Sequence, residues 1–180
     1  DLGGINSADR QKLFEPSRQT VLTSLSTMKS LILKAKENKA RTEFFFYYSG
    51  HSDNQGLLLG NETLAYTEIR NNIKDIKADV KIALLDSCSS GSFTRTKGGK
   101  RNRPFLFDMS PKMKGYAFLT SSSSEEAAQE SDYVKGSFFT HALVTGLRGG
   151  ADYSGDGIIT LNEVYQFAYN ETLAKTENTA

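Results

Sequence analysis

The sequence has few of the residues and runs that several protein classes require. It holds a single cysteine, Cys88, in 180 residues. An intramolecular disulfide and a zinc site built from several cysteines are therefore excluded. No apolar run approaches the ~20 residues needed to cross a bilayer. Lys and Arg total 22 against 21 Asp and Glu, without the basic excess of a typical nucleic-acid-binding domain. We therefore expect neither a membrane nor a nucleic acid among its partners.

The rest of the composition is that of an ordinary globular protein. Hydrophobic residues make up 38% and charged residues 24% of the chain, which argues against collagen, coiled coil and wholesale disorder. The length suits one domain over residues 1–180. The chain opens at Asp1 and has no signal-peptide pattern. We expect a fragment of a longer chain, with a cytoplasmic location.

Hydrophobic periodicity predicts helices that alternate with strands. The helices are expected at 17–37 with Ser17 as N-cap, at 67–76, at 137–147 and from Thr160 onward. Strands are expected at 43–48, 80–86 and 116–120, with a short edge strand at 56–60. The continuous apolar runs at 43–48 and 80–86 are typical of strands buried on both faces of a parallel sheet. This order predicts an α/β fold with crossover connections.

Two of the predicted strands end in reactive side chains. His51 follows strand 43–48, and Cys88 follows strand 80–86. Ligands bind beyond the carboxyl ends of strands in open parallel sheets, so we expect both side chains to face one cleft. Each residue also has a plain alternative, because a lone cysteine often packs as a small hydrophobe and a lone histidine often sits in a surface loop. His141 is a second candidate base, although its place between Phe139 and Leu143 favours packing.

These strand ends carry a family resemblance. Phe46-Tyr-Tyr-Ser-Gly-His51, followed by Leu84-Leu-Asp-Ser-Cys-Ser-Ser-Gly91, resembles the caspase-like cysteine peptidases, especially the metacaspase and bacterial caspase-like branch. The similarity continues through 115–120 and Gly136-Ser-Phe-Phe-Thr140 to about Tyr169. It implies a three-layer caspase-like sandwich with a mostly parallel central sheet. It also implies that one or more strands at the amino-terminal side are missing from this chain.

The resemblance implies a role for each matching residue. Cys88 corresponds to the nucleophile, and His51 corresponds to the general base and acid. The backbone N–H groups of Cys88 and Ser52 would form the oxyanion hole. Ser52 stands where the family commonly has glycine, so a positive φ at this position would be costly. No cofactor is required for this chemistry.

The resemblance also implies a substrate preference. Asp86 lies two residues before Cys88, on the same face of the strand by the two-residue period. An Asp at this position implies an acidic S1 pocket that binds Arg or Lys at P1, whereas the plain alternative is a cap on the following turn. Ser121 and Ser122 match the family segment that pairs with the substrate backbone, or form a polar turn. The expected function is that of a cysteine endopeptidase; the alternative is a catalytically silent caspase-like module that binds a partner.

Two loops have open interpretations. The basic loop 94–103 is either a solvated loop or a site of self-cleavage by an enzyme that prefers basic P1 residues. In loop 152–163, Asp152, Ser154, Asp156, Gly157, Thr160 and Glu163 fit the positions of a calcium-binding EF-hand loop. The same residues also fit a turn at Asp156-Gly157 followed by a capping box from Thr160 to Glu163.

Overall fold

A computed structural model describes residues 17–87, 116–120, 130–131 and 136–177. Its helices are α1 (Arg18–Glu37), α2 (Tyr66–Asp75), α3 (Phe138–Thr145) and α4 (Leu161–Glu177), and a π-type turn, Gly146–Gly150, follows α3. Its strands are β1 (Glu43–Ser49), β2 (Gly56–Leu59), β3 (Glu62–Ala65), β4 (Val80–Asp86), β5 (Tyr116–Thr120), β6 (Glu130–Ser131) and β7 (Gly136–Ser137). The predicted helices and the three predicted core strands are thus present, with ends that differ by a few residues.

The central sheet is parallel and has the order β1-β4-β5. Successive residues of β4 point to opposite faces, and both faces are covered by helices. Ala83 and Leu85 join a core with α1, α2 and the β2–β3 hairpin, whereas Leu84 joins a second core with α3 and α4. The expected three-layer α/β sandwich is confirmed.

The first helix begins where its sequence predicts. Ser17 has an extended backbone and accepts a hydrogen bond from the backbone N–H of Thr20, as an N-cap does. Lys34 and Lys36 lie in the last turn, where positive charge favours the helix dipole. Lys36 also pairs with Asp79 at 2.6 Å, and the Asp79 carboxylate accepts from the Thr42 N–H at 2.9 Å. The end of α1 is therefore tied to the starts of β1 and β4.

The expectation that β1 is buried on both faces is wrong. Phe44 is 7% exposed and packs toward α1, but Phe45 is 57% exposed and Tyr47 is 43% exposed. The reason is position in the sheet, because within the described residues β1 pairs only with β4. The core under α3 and α4 draws its strand side chains from β4 and β5. One face of β1 is consequently left open.

The short strand at 56–60 also differs from expectation. It pairs with β3 in a separate antiparallel hairpin, which the sequence analysis missed, and does not join the parallel sheet. Leu57 and Leu64 face each other in this hairpin and are buried in the core under α1 and α2. None of the helices in the described ranges combines the length and apolarity needed to span a bilayer.

Candidate active site

The two predicted catalytic segments leave the sheet side by side. In the β1–β4 ladder Ser49 is opposite Asp86, the last residue of each strand. The Gly50 N–H then donates to the Asp86 carbonyl at 3.2 Å. His51 follows β1 by two residues, and Cys88 follows β4 by two residues. Cys88, Ser121 and Ser122 lie outside the described residues, so their roles stay predictions.

A buried hydrogen bond links these two segments beyond the ladder. The Ser52 hydroxyl donates to the Ser87 hydroxyl at 2.9 Å, and both residues are buried. Ser52 directly follows His51, and Ser87 directly precedes Cys88. The contact therefore fixes the separation of the two chain segments that carry the predicted dyad.

Ser52 does not have the positive φ that would be costly at this position. Among the described non-glycine residues only Lys39 has a positive φ, so Ser52 adopts an ordinary backbone conformation. Ser52 forms an isolated antiparallel bridge with Leu57. The hydrogen bonds of that bridge run from the Leu58 N–H to the His51 carbonyl and from the Asp53 N–H to the Gly56 carbonyl. Both donors of the bridge are therefore N–H groups of other residues, and the Ser52 N–H stays the group predicted to bind the oxyanion.

The backbone at His51 is held by Tyr48. The Tyr48 hydroxyl donates to the His51 carbonyl at 2.6 Å, and burial raises the pKa of this phenol above its usual range, so it remains a neutral donor. A side chain at Gly50 would place its Cβ 2.8 Å from the Tyr48 oxygen, which explains the need for glycine there. The His51 side chain is exposed beside this fixed backbone. It is therefore accessible to a bound substrate.

Asp86 is a buried carboxylate with one oxygen satisfied. Only 3% of the residue is exposed, and its Oδ2 accepts a hydrogen bond from the Thr140 hydroxyl on α3. Within the described part of the chain, Oδ1 is buried and has no hydrogen-bond partner. Buried carboxylate oxygens are costly to leave without donors, so this atom points to a missing cationic or N–H partner. The turn after Ser87 lies outside the described residues, so a cap on that turn stays the alternative interpretation of Asp86.

The structure adds Thr140, Tyr47 and Ser87 to the candidate site. The Thr140 hydroxyl lies 2.8 Å from the Tyr47 hydroxyl on β1, so side chains from three elements meet at Asp86. Sequence reasoning missed all three residues. Thr140 was visible only as the last residue of the segment Gly136-Ser-Phe-Phe-Thr140, with nothing to mark its hydroxyl as a contact of Asp86.

His141 belongs to a different surface. Its exposed side chain lines a hollow of about 50 Å³ between α3 and α4, together with Phe138, Phe167 and Glu171. The lining includes no residue of β1 or β4. This position supports the packing interpretation of His141 over a catalytic one.

A larger apolar groove runs along the open edge of β1. It has a volume of about 850 Å³ and extends from Val21, Leu25 and Met28 of α1 to His51. The groove exists because β1 has no strand on its outer side within the described residues.

Loop 152–163 has the hydrogen bonds of a turn followed by a capping box. The Asp152 carboxylate accepts from the N–H groups of Gly155 and Gly157, at 2.8 and 3.0 Å, and both glycines have positive φ. Glu163 accepts from the Thr160 N–H at 2.9 Å, which lowers the pKa of its carboxyl. In the described ranges no cluster of three or more His, Cys, Asp or Glu side chains is arranged to hold a metal ion. Calcium binding by this loop stays a prediction.

Comparison with known protein families gives a match to the caspase domain over residues 12–175. The matched range includes His51, Asp86 and Cys88, and it runs from before α1 into the last turn of α4. Comparison with curated proteins gives no match.

Proposed function

Since the chain belongs to the caspase domain family, whose members are cysteine peptidases, we propose that it is an endopeptidase cleaving proteins or peptides after Arg or Lys. The observation that carries this proposal is the buried Asp86 carboxylate, whose Oδ1 has no partner among the described residues. It lies at the carboxyl end of β4, two residues before Cys88. An arginine or lysine side chain would supply the missing donor and the opposite charge.

Cleavage requires a nucleophile and a proton carrier. The Cys88 thiolate attacks the scissile carbonyl and forms a C–S bond, while the C–N bond breaks and His51 protonates the leaving amine. Water then attacks the thioester with His51 as base, which releases the acid product and regenerates the thiol. The matched ends of β1 and β4 and the bond from the Gly50 N–H to the Asp86 carbonyl support this pairing.

The developing negative charge on the carbonyl oxygen needs N–H donors. We assign these donors to the backbone of Cys88 and Ser52. Two observations support Ser52 in this role: its φ is not positive, and its side chain bonds to Ser87. Ser121 and Ser122 are proposed to pair with the substrate backbone.

Self-cleavage is a further part of the proposal. Loop 94–103 lies outside the described residues and contains Arg95, Lys97, Lys100, Arg101 and Arg103. Each is a P1 residue of the proposed class. Intact-mass measurement of purified wild type and Cys88→Ala separates self-cleavage from adventitious proteolysis, because cleavage that persists in Cys88→Ala is not self-cleavage.

The test uses fluorogenic peptides that differ only at P1. Wild type is expected to cleave the Arg and Lys peptides and to spare the Asp peptide, and Cys88→Ala is expected to cleave none. Cleavage only after Asp would leave the peptidase in place and remove the S1 assignment to Asp86. No turnover of any peptide, with Cys88 also unreactive toward iodoacetamide, would instead favour a silent caspase-like binding module.

A further inference from the structure

Three elements converge on the Asp86 carboxylate. Asp86 ends β4, Tyr47 lies on the open face of β1, and Thr140 lies in the first turn of α3. The Tyr47 and Thr140 hydroxyl oxygens are 2.8 Å apart, and Thr140 Oγ1 bonds Asp86 Oδ2. Thr140 is half-buried, whereas Asp86 is almost fully enclosed.

The direction of the hydrogen bonds follows from the chemistry of the groups. An ionised carboxylate only accepts, so the single Thr140 hydroxyl proton goes to Asp86 Oδ2. The Thr140 oxygen is then left as an acceptor, and the Tyr47 hydroxyl must be its donor. The result is one directed chain from Tyr47 through Thr140 to Asp86.

This chain holds the carboxylate in one orientation. Rotation of the carboxylate about its terminal bond would break the bond from Thr140 to Oδ2, and only 3% of Asp86 is exposed to solvent. Oδ1 is consequently presented as a fixed, buried acceptor without a donor among the described residues. A ligand that enters this site meets one open oxygen, because the second is already engaged.

We propose that Thr140 and Tyr47 are positioning residues of the basic-side-chain pocket, which fix Asp86 so that it binds the P1 cation through Oδ1. This inference rests on the proposed S1 role of Asp86. A guanidinium fork prefers both carboxylate oxygens, whereas a lysine ammonium needs only one acceptor. Because Oδ2 already accepts from Thr140, an arginine side chain cannot use both oxygens and loses part of its usual advantage in affinity. We therefore expect the pocket to bind lysine and arginine with similar affinity.

The test measures binding without turnover. Calorimetry compares acetylated peptides ending in arginine amide or lysine amide on Cys88→Ala and on Cys88→Ala with Thr140→Val added. We expect both peptides to bind the first protein. Thr140→Val should weaken both by about tenfold, since it removes a hydrogen bond to a charged group. The affinity of the lysine peptide should fall more than that of the arginine peptide, because Oδ2 then becomes available to the arginine guanidinium as a second acceptor.

Two controls separate positioning from a general structural role. Thr140→Ser retains the hydroxyl and is expected to restore both affinities to within about twofold, whereas Tyr47→Phe should give a weaker form of the Thr140→Val effect. An unchanged arginine-to-lysine ratio in Thr140→Val overturns the inference, as does failure of Thr140→Ser to restore binding. The inference is also overturned if neither peptide binds to Cys88→Ala. Failure of the peptidase proposal is recognised separately, because turnover and Cys88 reactivity are measured on wild type.

Discussion

At the scale of single residues, the hydroxyl of Ser52 has a defined partner where glycine would have none. It bonds the Ser87 hydroxyl in a buried contact between the residue after His51 and the residue before Cys88. Neutral buried hydrogen bonds contribute about 1 kcal/mol to folding. This one also sets the distance between the two segments that carry the proposed dyad.

We expect Ser52→Ala and Ser87→Ala each to lower the free energy of unfolding by about 1 kcal/mol, measured by urea denaturation. The double variant should lose less than the sum of the two, because both single changes remove the same bond. Ser49→Ala, at an exposed serine that ends β1, is the matched control and should cost less than about 0.5 kcal/mol. If the double variant loses as much free energy of unfolding as the two single variants together, the contact contributes nothing to stability.

The residues of the candidate site differ in how readily they can be identified from the sequence. His51, Asp86 and Cys88 could be found because each ends or follows a recognisable apolar run. Thr140 is 54 residues from Asp86, and Tyr47 is 93 residues from Thr140. Their hydroxyls meet only through tertiary packing, which no local spacing rule encodes.

At the scale of elements, β1 shows why an aromatic run is not evidence for burial on both faces. The run Phe44-Phe-Phe-Tyr-Tyr48 has high strand propensity on either face. Which face is covered depends on where the helices pack, and α3 and α4 cover β4 and β5. The alternation of side chains along a strand is a local property, but the elements that cover each face depend on the tertiary structure.

This asymmetry predicts unequal costs for two adjacent substitutions. Phe44→Ala removes a side chain from the core under α1 and should lower the free energy of unfolding by about 3–5 kcal/mol. Phe45→Ala removes a side chain that is mostly in solvent and should cost less than about 1 kcal/mol. Chemical denaturation of the two variants provides the comparison. Equal costs would mean that the outer face of β1 is covered, contrary to the structure.

Loop 152–163 is an element for which sequence alone left two interpretations. The EF-hand pattern and the turn with a capping box use the same oxygens, so the pattern cannot separate them. The structure shows the hydrogen bonds of the turn and the capping box, since the Asp152 and Glu163 carboxylates accept from backbone N–H groups of their own loop. Calcium binding by the same oxygens stays a prediction.

At the scale of the whole molecule, the order of helices and strands was sufficient to predict the layered α/β architecture. The strands β1, β4 and β5 are parallel, and parallel strands bring their carboxyl ends to one edge. The meeting of His51 with the Asp86 strand end follows from that topology. The separate β2–β3 hairpin did not follow from it, because a short apolar run pairs equally well with a sheet or with its own sequence neighbour.

The central claim is that a buried carboxylate selects a cation at P1 for cleavage by Cys88. The most direct measurement compares kcat/KM of wild type for two peptides that are identical except for arginine or citrulline at P1. Citrulline keeps the shape of arginine and lacks its charge. The account predicts that the arginine peptide is cleaved at least about tenfold more efficiently, because only arginine brings a positive charge to its hydrogen bond with the Asp86 carboxylate. Equal efficiencies for the two peptides would contradict it.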